Sequence, residues 1–220
     1  MTLRHATADD RPFLEQLFSA TTRSEFASID PDLVDELLAH QHEIRLRAYA
    51  DAFDPTGDHI IVHDDGPVGR IWVDSSSDEW TLVDFAVLPD HQKQGIGSVL
   101  MADLVDQAER SEATVRLTVR SDNIGAQRLY FRNGFTVELA DDVHLQFVRR
   151  SSAQRRERFE QVRTRVLADV SLQERLRTVP ADRLVAEIIE VAGVLGLEID
   201  AEDVAEAQRT ARTDWLERWV

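Results

Sequence analysis

HQKQGIGSVLMADL, residues His91–Leu104, sets two glycines one residue apart and runs straight on into an apolar, helix-like segment. A glycine turn that feeds a helix leaves the first N–H groups of that helix without intrahelical partners, and the helix macrodipole favours an anion there. Phosphate is the obvious guest. Gly95 and Gly97 are expected to let the backbone come close to it, since a Cβ at either position would stand in the way. A glycine before a helix is as often only a turn residue, so the stretch alone leaves both readings open. The dinucleotide fingerprint fails, because Leu100 stands where the third glycine belongs, and no Gly-Lys-Ser/Thr follows to make a nucleoside-triphosphate loop.

Around this stretch, residues 1–150 alternate strand-like and helix-like patterns. Leu3–Thr7 reads as a short strand, followed by a helix with Phe13, Leu14, Leu17 and Phe18 on one face. A second helix is predicted from Asp30-Pro31, with Leu33, Leu37, Leu38 and Ile44 apolar. HIIVHD, a turn at Asp65-Gly66 and PVGRIWVDSSS read as a hairpin, with SSSD as a hairpin tip, and WTLVDFAVL reads as a long third strand. After the quoted helix come a strand at TVRLTV, a helix at NIGAQRLYFRN ended by Gly134, and a final pair of strands from Phe135 to Val148. This order predicts an α/β fold, a mixed sheet flanked by helices. Residues 151–220 carry helical periodicity and no strand pattern, which predicts a small all-α domain of about three helices, joined at SSAQRRER. One stripe there is Phe159, Val162, Val166, Leu167 and Val170. Another is Leu184, Val185, Ile188, Ile189, Ala192 and Leu195. Asp200 and Asp203 approximate a capping box before a last helix bearing Val204, Ala207, Ala211, Trp215 and Trp219.

Three motifs in order then resemble one family. Gln92-Lys93-Gln94-Gly95-Ile96-Gly97 is similar to the Q/R-x-x-G-x-G/A motif of the GNAT superfamily of acyl-CoA-dependent N-acetyltransferases. Phe85-Ala86-Val87-Leu88-Pro89 looks like its strand end, and Asn123 to Tyr130 followed by Gly134-Phe135 resembles its N-x-x-A-x-x-L-Y…G-F segment, Ala126 included. The resemblance covers residues 2–150. It implies a GNAT-like sheet and acetyl-CoA as cosubstrate, its pyrophosphate on the amides of Lys93, Gln94, Gly95, Ile96, Gly97 and Ser98. It further implies that the pantetheine arm pairs with Phe85, Ala86 and Val87, that Asn123 hydrogen-bonds the arm, and that Tyr130 lies near the thioester sulfur.

Amide formation needs a neutral amine beside the thioester carbonyl, stabilisation of an oxyanion, and a proton for the departing thiolate. Tyr130 is suited to give that proton, and a main-chain N–H near Val87 to polarise the carbonyl. Asp84 is the candidate base; alternation along its strand puts it on one face with Leu82 and Ala86. Glu79, at the loop end of that strand, is a poorer candidate. Where some relatives carry an acid, five residues before the asparagine, this chain has Thr118. Arg23 and Glu25 could line the acceptor pocket. None of the seven histidines suggests a metal site: His40 and His42 are two apart on a helix, His59 and His63 bracket a strand without a third ligand, and His91 is read as loop surface.

Composition narrows the classes further. The net charge is -16, with 43% hydrophobic and 30% charged residues, which argues against disorder and disfavours a nucleic-acid backbone as partner. No apolar run approaches a membrane span and no signal-peptide core opens the chain, so a cytoplasmic setting is expected. The absence of cysteine removes thiol chemistry. Residues 1–150 hold 14 basic and 27 acidic side chains, which mildly favours a cationic amine acceptor, a small molecule or a peptide end. The C-terminal piece, through VLADVSLQERL, VLGLEIDAEDV and WLERW, resembles the helical domain of nitrogen-fixation-associated leader-like proteins. That resemblance implies either a docking domain for a protein or peptide, or a stabilising cap. A homodimer is compatible with the sequence. The competing reading of the whole chain is a catalytically idle acyl-CoA-binding protein whose helical domain docks a partner.

Overall fold

Periods of two and of 3.6 apolar residues alternate along the first part of the chain, and in the computed structural model, which describes residues 1–26, 30–64 and 66–210, they become strands and helices in that order. The chain divides into two compact units, Met1–Arg149 and Arg150–Val220. The first runs β1 (Thr2–His5), α1 (Arg11–Thr22), α2 (Pro31–Ala52), β2 (Asp58–His63), β3 (Gly66–Asp74), β4 (Glu79–Val87), α3 (Ile96–Arg110), β5 (Thr114–Arg120), α4 (Ile124–Arg132), β6 (Thr136–Ala140) and β7 (His144–Arg149). The strands form one mixed sheet in the order β1-β2-β3-β4-β5-β7-β6. Only β4 and β5 are parallel, because α3 carries the chain back between them.

Each face of the sheet has its own apolar filling. Leu100, Met101, Leu104 and Ala108 of α3 pack with Ile61, Ile71, Leu82, Val115, Leu117, Phe135 and Phe147 on one face. Leu14 and Leu17 of α1 cover Ile60, Ala86 and Leu88 on the other. Helix α2 differs from its expected pattern. Leu33 and Ile44 are exposed, and the buried line is Val34, Leu38 and His42, four residues apart, so a histidine occupies the third place of an apolar stripe.

Strand β4 is irregular on both of its edges. Opposite β3, Trp72 pairs with Asp84 but Val73 pairs with Leu82, so Val83 is an extra residue. The bulge corrects the expected alternation: Leu82 packs under α3, whereas Asp84 turns to the other face beside Leu14, Leu17 and Ala86. On its other edge, β4 pairs with β5 only as far as Leu82 opposite Leu117. Beyond that point β5 continues with β7 alone, and β4 runs on to Val87 beside β3 alone.

The second unit holds α5 (Ser152–Leu167), α6 (Val170–Arg177), α7 (Leu184–Val194) and α8 (Ala201–Thr210), one helix more than expected. The stripe expected to run from Phe159 to Val170 is cut, because Asp169 caps a new helix by accepting from the N–H groups of Ser171 (2.8 Å) and Leu172 (3.3 Å). Leu167 and Val170 consequently lie outside the core, Val170 with 68% of its surface exposed. Phe159, Val162 and Val166 remain inside with Leu176, Ile188, Val191, Ala192 and Val204. Asp200 and Asp203 cap α8 reciprocally, each accepting the other's N–H at 3.0 Å. Asp65 of the hairpin turn, Ala211, Trp215 and Trp219 of the last helix, and the side chain of Glu25 lie outside the described residues.

Gly69 holds β3 against β4 where β4 has lost its other neighbour. A Cβ there would stand 2.4 Å from the Ala86 carbonyl oxygen and 3.1 Å from Val87 Cα. Gly69→Ala is therefore expected to cost about 1–3 kcal/mol of stability through overpacking, read as a lowered thermal midpoint.

Candidate active site

Strand β4 leaves the sheet through Leu88 and a single 3₁₀ turn at Pro89–His91. Two glutamines tie the loop back onto the chain: Gln92 Nε2 donates to the Val87 carbonyl (2.8 Å) and Gln94 Nε2 to that of Asp90 (2.9 Å). Lys93 and Gly95 take left-handed conformations, with φ of 61° and 88°, and Gly95 is the N-cap of α3. The first backbone bond of the helix runs from Val99 N–H to Gly95 C=O (3.0 Å), so the amides of Ile96, Gly97 and Ser98 precede it. Ile96 is buried and anchors the turn, while Ser98 is exposed.

The two glycines differ in their surroundings within the chain. A Cβ on Gly95 would meet nothing within 4 Å, so its requirement is the left-handed backbone. A Cβ on Gly97 would point inward, 3.5 Å from Leu129 and 3.6 Å from the Phe85 ring. Gly97 thus lies where α3 meets β4 and α4, and a Cβ there would sit at ordinary contact distance.

Phe85 and Val87 pack into the core under α3, whereas Ala86 faces α1. Asn123 uses its side-chain oxygen to cap α4, accepting from Ala126 N–H at 3.1 Å, which leaves its Nδ2 as a donor. Ala126 packs against the main core. Tyr130 is 6% exposed, its ring between Phe135 (5.7 Å) and Phe147 (5.6 Å), and its hydroxyl has no hydrogen-bond partner among the described residues. Burial, with the charge of Asp84 second, pushes its pKa well above the usual phenol value. Tyr130 therefore stays protonated and can act only as a donor.

On the opposite face a cavity of about 30 Å³ lies between α1, α2 and the free run of β4, lined by Phe18, Thr21, His42, Arg45, Arg70 and Asp84 among others. Both oxygens of Asp84 are engaged, Oδ1 by Arg45 (2.8 Å) and Oδ2 by Arg70 (3.2 Å). Arg70 in turn grips Asp58 with two bonds of 2.8 and 2.7 Å, and Arg45 donates to the Tyr49 hydroxyl at 3.0 Å. Asp84, expected as an open base, is instead the middle of a chain of charges. Sequence reading missed Arg45 and Arg70 because they sit 39 and 14 positions from Asp84, and no local pattern joins them. It missed His42 by running the apolar stripe of α2 through Ile44; the spacing Val34, Leu38, His42 was the available signal. His42 is 5% exposed and lies 5.2 Å from the Phe18 ring. Burial lowers its pKa, Glu15 opposes, Arg70 and Arg45 lower it further, and Asp84 opposes.

The remaining candidates lie elsewhere. Arg23 pairs with Asp35. Glu79 is exposed beside Arg116 (3.5 Å), and Thr118 is exposed. His59 stacks on His5 at 4.4 Å, His63 lies 3.6 Å from Asp64, and His40 and His91 touch no part of the cavity lining. Among the described residues, no cluster of three or more His, Asp or Glu is arranged to hold a metal ion.

Arg70→Met strips two partly buried carboxylates, Asp58 and Asp84, of a shared partner and is expected to cost about 3–5 kcal/mol at pH 7 in denaturant titrations. A second expectation concerns pH. The unfolded chain protonates His42 near the usual pH of about 6.5, whereas the folded chain resists until lower pH, so stability falls as pH drops through that window. His42→Gln should flatten this part of a stability–pH curve.

Comparison with known proteins agrees with this outline. The acetyltransferase (GNAT) family profile matches residues 14–135. The [Ribosomal protein bS18]-alanine N-acetyltransferase of Escherichia coli K12 is 48% identical over 59 residues, and that of Salmonella typhimurium is 44% identical over 59. Each match spans 26% of this chain and about 40% of the relative's length. Among solved structures, the PaiA N-acetyltransferase of Thermoplasma acidophilum in complex with coenzyme A shares the fold at a TM-score of 0.54 and 16% identity, covering 68% of this chain and 98% of that one. With the profile covering more than half of its length, the chain belongs to the acetyltransferase (GNAT) family.

Proposed function

We propose that this protein moves an acetyl group from acetyl-CoA to a primary amine, by direct attack of the amine on the thioester. The observation that carries the reading is the parting of β4 from β5 after Leu82 and Leu117, at the sheet end from which the glycine turn leads into α3. In one place this leaves β4 backbone without a partner strand and helix N-terminal amides without acceptors. An elongated molecule with an amide-bearing arm and a pyrophosphate answers both needs. In this reading the amides of Lys93 to Ser98 hold the pyrophosphate, and Phe85 to Val87 pair with the arm. Asn123 reaches the arm with Nδ2, and Tyr130 donates to the departing sulfur.

Among amine acceptors we favour the α-amine of a peptide or protein N-terminus. The identity shared with the ribosomal-protein alanine acetyltransferases supports this, and so does the cavity beside β4. Its one carboxylate, Asp84, is already satisfied by two arginines, so nothing on that face is built to attract a second cation. The unit after Arg150 is proposed as a docking domain for a protein or peptide, in a cytoplasmic setting; among the described residues no helix is long and apolar enough to cross a membrane. The full engagement of Asp84 is also what favours the competing reading, an idle acyl-CoA binder.

Ser98→Glu tests the loop without harming it. A carboxylate in the first turn suits the helix dipole but repels a pyrophosphate. The variant should keep its thermal midpoint and lose tenfold or more in acetyl-CoA affinity by calorimetry. Tyr130→Phe should bind acetyl-CoA normally and release free thiol about 10²-fold more slowly when offered N-terminal peptides and small amines. Binding by the wild type with no thiol release from any amine would favour the idle binder, and no binding by the folded protein would overturn both readings.

A further inference from the structure

A direct transfer leaves one requirement unmet by the residues assigned so far: something must take the proton that the amine loses. Asp84 is ill placed, because both of its oxygens already accept from guanidinium groups, and drawing it away would break its ion pairs with Arg45 and the buried Arg70. Glu79 is exposed at the far end of β4 beside Arg116, and Tyr130 holds its proton. His42 is different. It is almost wholly buried, yet neither ring nitrogen has a hydrogen-bond partner among the described residues, and its imidazole lines the cavity together with Thr21, Arg45, Asp84 and Ala86. The ring nitrogens are not among the buried side-chain atoms left without a partner, so the cavity gives them access to water. The cavity, about 30 Å³ and ringed by polar groups, is large enough for a water molecule or two. Its floor is Asp84 and Ala86, the part of β4 that has parted from β5.

We propose that His42 is the general base of this enzyme, taking the acceptor amine's proton through water in the cavity between α1, α2 and β4. The inference rests on the acetyltransferase reading above. The amine nitrogen forms a bond to the thioester carbonyl carbon and its surplus proton passes by way of water to His42. The carbon–sulfur bond then breaks, the sulfur leaves with the bonding pair and takes the Tyr130 proton, and the proton on His42 returns to Tyr130 through solvent. The products are the N-acetyl amine and the free thiol. The charged groups that act on His42 are Glu15 from α1, Arg45 from its own helix, Arg70 from β3 and Asp84 from β4; burial, with Arg70 and Arg45, favours the neutral imidazole against the opposing charges of Glu15 and Asp84. A neutral imidazole has the lone pair that the task requires.

The test is the pH dependence of kcat at saturating acceptor and acetyl-CoA, measured by thiol release for wild type, His42→Gln and His42→Asn. The two amides mimic one ring nitrogen each, so at least one should keep the packing on Phe18. Calorimetry with acetyl-CoA confirms that each variant is folded and loaded. The expected result is an acid limb in the wild type that disappears from both variants, with kcat lower by about 10²-fold and acetyl-CoA affinity unchanged. If a folded variant keeps the acid limb, His42 is only a packing residue and the assignment fails while the acetyltransferase reading stands. If the wild type binds acetyl-CoA and acetylates no amine, the reading itself fails and takes the assignment with it.

Discussion

Strand β4 stops pairing with β5 at Leu82, and most of what distinguishes this protein depends on that break. Backbone N–H and C=O groups inside a sheet are normally satisfied on both sides; a strand that runs five residues past its last partner on one edge leaves the groups there open and needs an anchor on the other edge to stay extended. Here β3 supplies it, in register from Gly69 opposite Val87, and only a glycine lets the two backbones lie that close. Gln92 then closes the end of the strand by donating to the Val87 carbonyl. The free edge is therefore held by contacts on its far side and beyond its tip.

The bulge at Val83 adds a second consequence. By turning Asp84 away from the α3 face, it draws Arg45 and Arg70 to a strand whose neighbouring residues are apolar. Arg70 has 5% of its side chain exposed and makes ion pairs with two carboxylates, while Arg45 lies over the rings of Tyr49 (5.0 Å) and Phe18 (5.7 Å). Charges this deep persist only when each is compensated. The network is fully paired, and so acts as a rigid frame around His42 and the cavity. The two faces of β4 thus differ in kind: an apolar face with Tyr130, whose hydroxyl keeps its proton, and a polar face with an imidazole that gives its proton up.

The second unit uses arginine for another purpose. Arg158 reaches the fully buried Asp203 at 3.0 Å, and Arg156 reaches Glu206 at 3.1 Å, so ion pairs fasten α5 to α8 around an aliphatic core. This explains how so arginine-rich a segment as SSAQRRER begins a helix: Ser151 caps it, Gln154 completes the box, and the cations beyond them find acids on α8.

Much of this was readable from the chain itself. Apolar periodicity located the strands and helices of the first unit, the spacing of Gln92, Gly95, Gly97, Asn123 and Tyr130 identified the family, and the Asp200–Asp203 box was visible as two acids three apart. These are local features, set by backbone conformation and by which neighbours a side chain meets within one turn or one strand. What only the tertiary structure decided lies where distant segments meet. The single extra residue at Val83 is silent in sequence, because a bulge is defined by the partner strand it slips against, yet it puts Leu82 on the opposite face from Asp84 and Ala86, which alternation had joined to it. Gly97 faces Leu129 and Phe85 across the contact of α3 with α4 and β4, neighbours that no local pattern names. His42 was read only as failing to share a helix face with His40, and it fills an apolar slot beside two arginines, because burial depends on what packs over a helix, and residues 14, 70 and 84 had to be brought there by the fold.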